Sequence, residues 1–140
     1  MAIILMDLDG TIADDRWRRK MVRTGIADLL ERYHAYHSLS AFDSLVNAGL
    51  LRTEHELVIT TARPAHYEAV TKEWLGRNGV RWRRLLMRPY CCYVRSWELK
   101  QQQVQELKRT AVIAGAYDDN EAIVAMYRQL GIPSTLVKIQ

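Results

Sequence analysis

The chain opens with the segment AIILMDLDGT (residues 2–11), in which a short apolar run meets two aspartates separated by one residue. An apolar run of this length predicts a buried strand, and Gly10 directly after the second aspartate predicts a tight turn. In an extended segment, residues i and i+2 point to the same side. Asp7 and Asp9 are therefore expected to reach one common group at the end of the first strand.

Further apolar runs of strand length alternate with helical patterns along the chain. The predicted strands are residues 2–6, 57–60, 85–87, 111–114 and 134–139, and the predicted helices are residues 26–36, 41–48, 66–77, 97–108 and 121–130. This alternation predicts a mostly parallel five-stranded sheet with helices on both faces, a three-layer, doubly wound, Rossmann-like α/β fold. Residues 14–50 form a predicted strand-free, short helical insertion, so any cap should be small or absent.

Length and composition favour a single soluble domain over residues 1–140, with no membrane segment. No apolar run approaches the roughly 18 residues that a membrane span needs. The apolar start is short and lacks basic residues, which argues against a secretory signal and for a cytoplasmic location. The adjacent Cys91 and Cys92 are predicted to be reduced thiols. A net charge of +4 favours an anionic partner.

Polar residues follow three of the predicted strands: Asp7 and Asp9 the first, Thr61 and Arg63 the second, and the pair Asp118-Asp119 the fourth. Ligands of an open parallel sheet bind at the carboxyl ends of its strands. Two carboxylates near a phosphate need a cation, and hard oxygen ligands suit Mg²⁺, with Asp118 or Asp119 as a further ligand. A solvated turn or a calcium-type loop is the alternative for an isolated Asp-x-Asp-Gly, but the preceding buried strand favours a catalytic site.

The segment Asp7-Leu8-Asp9-Gly10-Thr11 resembles the first signature of the haloacid dehalogenase (HAD) superfamily. Thr61, with Arg63 two residues later, resembles the second signature, although Ala62 stands where a glycine is common. Lys100 resembles the third signature and Asp118-Asp119 the fourth, and all four follow the family order. The end of the chain and the short first insertion resemble, more narrowly, the phosphatase domains of phage polynucleotide kinases.

The resemblance implies a phosphatase in which Asp7 attacks phosphorus and forms an aspartyl-phosphate. Asp9 would protonate the leaving oxygen and then activate the hydrolytic water. The implied Mg²⁺ ligands are Asp7, the backbone carbonyl of Asp9, and Asp119. Asp118 is expected to contact these ligands and not the metal itself. Thr61 and Lys100 would bind the phosphoryl oxygens, where negative charge develops.

The same resemblance assigns Arg18 and Arg63 to the substrate phosphate. One departure from the polynucleotide kinase pattern is Ser96, where those proteins commonly carry an aspartate four residues before the lysine. Two other features are compatible with nucleic acid: Trp82 among Arg81, Arg83 and Arg84, and the aromatic residues Tyr33, His34, Tyr36 and His37 on one predicted helix. Ordinary solvated or packed surfaces are the alternative for both.

Three functions are compatible with the sequence. The first is a phosphatase for nucleotides or for polynucleotide ends, especially a 3′ phosphate. The second is a phosphatase for an unrelated small molecule such as a sugar phosphate. The third is a receiver-type signalling domain, which the order Asp-Leu-Asp-Gly-Thr at the first strand disfavours. The chain contains no kinase P-loop, so any kinase activity would need a separate kinase partner.

Overall fold

The computed structural model describes residues 2–23 and 29–140. Its main feature is a five-stranded parallel sheet in the order β5-β4-β1-β6-β7, with β1 at the centre. The strands are β1 (Ala2–Met6), β2 (Ala13–Asp14), β3 (Ser44–Leu45), β4 (Glu56–Pro64), β5 (Arg84–Arg88), β6 (Val112–Asp118) and β7 (Ser134–Leu136). The helices are α1 (Lys20–Arg23), α2 (Leu29–Ser38), α3 (Glu68–Arg77), α4 (Ser96–Leu107) and α5 (Glu121–Gln129).

Side chains of β1 alternate between the two faces of the sheet, as the pleat of a strand requires. Leu5 packs in one buried cluster with Val104 of α4 and Tyr127 of α5. Met6 packs in a second cluster, which contains Trp74 of α3. A strand that is buried on both faces needs a continuous apolar sequence, which explains the uninterrupted run before Asp7. The predicted three-layer α/β fold with five parallel strands is confirmed.

The helices predicted near residues 66–77, 97–108 and 121–130 are present as α3, α4 and α5. Part of the helix predicted over residues 26–36 lies outside the described residues, and α2 covers the remainder and continues to Ser38. None of the described helices is long and apolar enough to cross a membrane.

The helix predicted over residues 41–48 is wrong. A short 3₁₀ turn (Leu39–Phe42) is followed by β3, which pairs antiparallel with β2, and a second 3₁₀ turn covers Ala48–Leu51. Two local features prevent a continuous helix. The backbone N–H of Val46 donates to the carbonyl of Ile12, and Asn47 adopts a left-handed conformation with φ 52°. The expectation that residues 14–50 lack strands is therefore also wrong.

Candidate active site

The strand order brings the polar strand ends together at one edge of the sheet. Because β4 and β6 flank β1 and run parallel to it, their carboxyl ends lie beside Asp7. Thr61 and Arg63 come from β4, Asp118 from the end of β6 and Lys100 from the buried side of α4. Four widely separated segments thus supply one site.

Asp7 is the centre of a buried ionic cluster. Thr11 donates its hydroxyl to Asp7 Oδ2 at 2.8 Å, and Lys100 Nζ donates to Asp7 Oδ1 at 2.9 Å. Lys100 Nζ also donates to Asp118 Oδ2 at 2.6 Å. Burial raises the pKa of Asp7, and the charge of Asp118 raises it further against the opposing effect of Lys100. For Lys100, burial lowers the pKa, but the two carboxylates outweigh it and the ammonium keeps its charge.

The carboxylates of Asp7, Asp118 and Asp119 form a group that could hold a metal ion, because one oxygen from each lies within 4.8 Å of the others. Three carboxylates face the single ammonium of Lys100, so the cluster keeps an excess of negative charge that a hard divalent cation would balance. Both oxygens of Asp7 accept hydrogen bonds, from Thr11 and Lys100, and both oxygens of Asp118 accept them from Lys100 and the backbone N–H of Asn120. Asp119 has the most exposed side chain of the three carboxylates, at 32%.

Gly10 makes room for Asp119. Its φ is +82°, and a Cβ at this position would lie 2.0 Å from Asp119 Oδ2. Only glycine therefore permits both the turn after Asp9 and the close approach of this carboxylate. Arg19 Nη2 lies 3.8 Å from the same oxygen.

Asp9 is held by two arginines rather than by the Asp7 cluster. Arg63 donates to it through Nε at 3.0 Å and Nη2 at 2.7 Å, and Arg18 donates through Nη2 at 2.5 Å. Burial alone would raise the pKa of Asp9, but Arg63 and then Arg18 outweigh it and hold the pKa well below its usual range. With these contacts in place, Asp9 is ionised.

A matching family model shows which family the chain belongs to. The model described as "Polynucleotide kinase PNKP phosphatase domain" matches residues 1–139. The chain belongs to this HAD-type phosphatase family. No curated protein matches the sequence significantly.

Solved structures share the fold of this phosphatase. The "Pnkp1/Rnl/Hen1 RNA repair complex" contains a chain with TM-score 0.79 and 21% identity, aligned over 97% of this chain and 42% of that one. A hydrolase from Streptococcus pneumoniae TIGR4 has TM-score 0.60 and 12% identity over 97% of this chain and 92% of its own. The phosphatase thus spans less than half the length of the Pnkp1-complex chain it matches.

Behind the two arginines of the phosphatase lies Asp43, a residue that the sequence did not single out. Its carboxylate accepts from Arg18 Nε at 2.9 Å and Nη2 at 2.7 Å, and from the indole of Trp17 at 2.9 Å. Arg63 Nη2 lies 3.8 Å away. No sequence motif includes Asp43, which falls within the helix wrongly predicted over residues 41–48. The only signal in the sequence is that the segment after Asp9 contains more arginines than this one carboxylate can pair with.

Arg18 and Arg63 lie at the site but have no exposed surface of their own. The side chains of both arginines are fully buried. Beyond Asp9 and Asp43, Arg63 donates to the hydroxyl of Thr71 and Arg18 to the backbone carbonyl of Tyr36. A substrate phosphate would therefore have to share these guanidiniums with the carboxylates that already bind them.

The remaining residues that the sequence singled out lie either at the candidate site or at the opposite end of the strands. Thr61 is buried at the site, and its hydroxyl accepts from the backbone N–H of Arg63 at 3.1 Å, which leaves its own proton to donate. Ser96 does not displace Lys100, whose ammonium reaches both Asp7 and Asp118. The cluster Arg81, Arg83 and Arg84 precedes or begins β5, so it lies at the amino end of the strands, away from Asp7.

The adjacent cysteines form no disulfide. Cys91 is exposed and Cys92 partly buried, both in the loop between β5 and α4. Cys91 has a positive φ of 59°, the strained conformation of a tight turn for a residue with a side chain. Neither thiol contacts the carboxylate cluster among the contacts described for the chain.

Proposed function

We propose that this phosphatase is a Mg²⁺-dependent phosphomonoesterase that hydrolyses the phosphate at nucleic-acid ends, preferentially a 3′ phosphate, or on nucleotides. The observation that carries the proposal is the pairing of Asp7 with Lys100 beside Asp118 and Asp119, with Asp9 held two residues away. This arrangement offers a nucleophile, a fixed cation, metal ligands and a second carboxylate at one strand end. Those are the groups that phosphoryl transfer to an aspartate requires.

In the proposed first step, a carboxylate oxygen of Asp7 attacks phosphorus and the bond from phosphorus to the ester oxygen breaks. The departing oxygen takes a proton from Asp9. In the second step, Asp9 removes a proton from water, which attacks the aspartyl-phosphate and releases inorganic phosphate and free Asp7. Lys100 and the Thr61 hydroxyl hold the phosphoryl oxygens during both steps.

Asp9 must gain a proton before it can act as an acid, although Arg63 and Arg18 keep it ionised. A phosphate bound close to these arginines competes with Asp9 for the same N–H groups. Weaker contacts to the arginines raise the pKa of Asp9, because burial is then less strongly opposed. Substrate binding would thereby favour the protonated form of Asp9, which donates to the leaving oxygen.

Mg²⁺ would be held by the carboxylates of Asp7 and Asp119 and by the backbone carbonyl of Asp9, and would supply positive charge that offsets the phosphoryl oxygens. The fit of the residues supports this: the donors are hard oxygens, and their charge exceeds what Lys100 neutralises. Without such a cation, the buried carboxylates would repel an anionic substrate.

Nucleic-acid ends are the preferred substrate class for two reasons. The family is that of a polynucleotide kinase phosphatase domain, and the net charge of +4 favours anionic partners. The Pnkp1 relative is found in an RNA repair complex with Rnl and Hen1. By analogy, this phosphatase would act beside a kinase or other repair enzyme that another chain or domain supplies.

The test is phosphate release from 3′- and 5′-phosphorylated oligonucleotides, mononucleotides and sugar phosphates, each with Mg²⁺ and with EDTA. We expect Mg²⁺-dependent release that is fastest from 3′-phosphorylated nucleic acid. A preference for sugar phosphates would support the small-molecule phosphatase instead. Stable phosphorylation of Asp7 without turnover would support the receiver-type domain, and full activity in EDTA would exclude the proposed metal.

A further inference from the structure

Aromatic rings are concentrated beside the active site. Five of the seven tyrosines and three of the four histidines fall in three segments: α2, the turn between β4 and α3, and the loop between β5 and α4. We call this surface the aromatic ledge, and its members are Tyr33, His34, Tyr36, His37, His66, Tyr67, Tyr90 and Tyr93.

Seven of the eight rings contact one another across the three segments, and Tyr93 belongs to the ledge only through its place on the same loop as Tyr90. His66 and Tyr90 meet edge to face with their centroids 4.3 Å apart. Tyr67 lies between its neighbours on α2: its ring centroid is 4.9 Å from that of His37, and its hydroxyl is 3.0 Å from His34 Nδ1. The segments therefore form one surface rather than three isolated patches.

The ledge adjoins the catalytic residues. His66 follows Pro64, the last residue of β4, and Tyr90 follows Arg88, the last residue of β5, so both lie at the edge of the sheet that carries Asp7. The guanidinium of Arg18 stacks on the ring of Tyr36 at 4.2 Å and reaches Asp9. The ledge thus extends outward from the phosphate site.

Several rings of the ledge face solvent, and two of them, Tyr90 and Tyr93, lie on an anchored loop. Tyr33 is 46% exposed, Tyr90 63% and Tyr93 90%. Arg88 holds the loop that carries Tyr90 and Tyr93, because its guanidinium donates to the carbonyls of Ala62 at 3.2 Å and Val94 at 2.6 Å. Exposed aromatic rings on a fixed backbone are an ordered binding surface, which lowers the entropic cost of association.

The charge of this region fits an anionic chain. Residues 85–97 contain Arg88 and Arg95 but no aspartate or glutamate. Aromatic rings beside basic residues are the combination that binds single-stranded nucleic acid, since every base offers a face for stacking. At a duplex end only the outer face of the terminal base pair is open, and pairing holds the bases in the helix, whereas unpaired bases can turn their faces toward the rings of the ledge.

We propose that the aromatic ledge stacks the unpaired bases next to the terminal phosphate and so selects single-stranded ends over duplex ends and over bare phosphates. The inference rests on the proposed function, because the terminal phosphate is placed at Asp7. Tyr90 and Tyr93 are its principal specificity residues, since they are the most exposed rings of the ledge.

The experiment compares kcat/KM for a single-stranded 3′-phosphorylated oligonucleotide with that for the same strand carrying abasic sites at its last two nucleotides. The abasic strand keeps every phosphate and lacks only the bases. We expect the intact strand to be preferred by at least about tenfold, the scale of one stacked base. The double change Tyr90→Ala with Tyr93→Ala should remove this preference, whereas Tyr90→Phe with Tyr93→Phe should retain it.

A binding measurement separates this inference from the proposed function. A 3′-phosphorylated oligonucleotide with 2-aminopurine as its last base is titrated with Asp7→Asn protein, which holds the strand without hydrolysing it. Stacking should quench the fluorescence, and the Tyr90→Ala, Tyr93→Ala change should abolish the quenching. Equal kcat/KM values for the intact and the abasic strand, together with an absence of quenching, would contradict the proposed stacking even if phosphate is released. Quenching without phosphate release from any nucleic acid would support the ledge and reject the proposed function.

Discussion

Asp7 carries its negative charge in an unfavourable environment. It is buried beside Asp118 and Asp119, and its pKa is raised, so the folded state binds a proton more readily than the unfolded chain does. Between the unfolded pKa, near 3.9, and the raised pKa, the stability falls as the pH rises. Ionisation of this buried carboxylate therefore costs folding free energy at neutral pH.

Replacing Asp7 with asparagine should abolish phosphate release, because an amide does not attack phosphorus. Without metal at pH 7, the variant should also be more stable than the wild type, since a buried charge is removed. This advantage should disappear near pH 4, where the wild-type carboxyl is increasingly protonated. Urea unfolding at both pH values checks the stability, and a destabilised variant at pH 7 would contradict the charge argument.

Asp43 is predicted to position the two arginines that hold Asp9. In Asp43→Asn, one accepting oxygen becomes an NH₂ group that faces the N–H donors of Arg18 or Trp17. We expect a loss of about 1–3 kcal/mol in unfolding free energy, the scale of a hydrogen bond to a charged group. We also expect a lower kcat with a changed pH profile, because Asp9 is less firmly held.

The matched control for Asp43 is Asp14→Asn, which breaks the ion pair with Arg16 at 2.7 Å on a more exposed surface. Exposed pairs of this kind contribute between about 0 and 1 kcal/mol. Equal effects of the two substitutions on stability, with unchanged pH profiles, would show that Asp43 has no special role.

At the scale of elements, α2 packs against its neighbours with the buried His37, whose ring is neutral at pH 7. Burial lowers the pKa of His37, Asp9 opposes this effect, and the nearby arginines add to it, so that the pKa of His37 falls to about 4. Its Nδ1 has no hydrogen-bond partner among the described residues. Protonation would place an additional positive charge among these arginines.

The stability of the wild type should therefore fall as the pH decreases from about 6.5 to 4, because the unfolded chain takes up the proton that His37 resists. The full effect corresponds to about 3 kcal/mol. His37→Phe keeps a ring between the tyrosines and should remove this part of the acid loss. Chemical denaturation across this pH range, with His55→Phe as the control, measures it; equal slopes for wild type and His37→Phe would disprove it.

Over the whole molecule, the length of the sheet separates one basic cluster from the candidate active site. Arg81, Arg83 and Arg84 lie at the amino ends of the strands, whereas the carboxylates lie at the opposite edge. Any effect of salt on substrate affinity should therefore depend on basic residues near the site, not on this cluster. The net charge of the chain does not show at which end of the strands its basic residues lie.

Mg²⁺ should stabilise the whole fold, because a ligand that binds only the folded state raises its unfolding free energy. We expect the Tm to rise with MgCl₂, and Asp119→Asn to shift this rise to higher concentrations, since one ligand charge is lost. NaCl at matched ionic strength is the control. An identical Tm in the two salts, or an unchanged response of Asp119→Asn, would argue against the metal ligands proposed here.

The amino-acid sequence by itself determined the alternation of strands and helices and the three polar strand ends, because buried strands and the turns that follow them leave local patterns of apolar and polar residues. It did not indicate Asp43, and it predicted a helix where β3 pairs with β2. Contacts such as Lys100 with Asp7, 93 residues apart, or Arg18 with Asp43, 25 residues apart, depend on packing. Only the tertiary structure decided that Arg18 and Arg63 are buried around Asp9, that the Arg81 cluster lies at the far edge, and that scattered aromatic residues form one ledge. Periodicity records which face of an element is buried, whereas the partner that buries it is set by the fold.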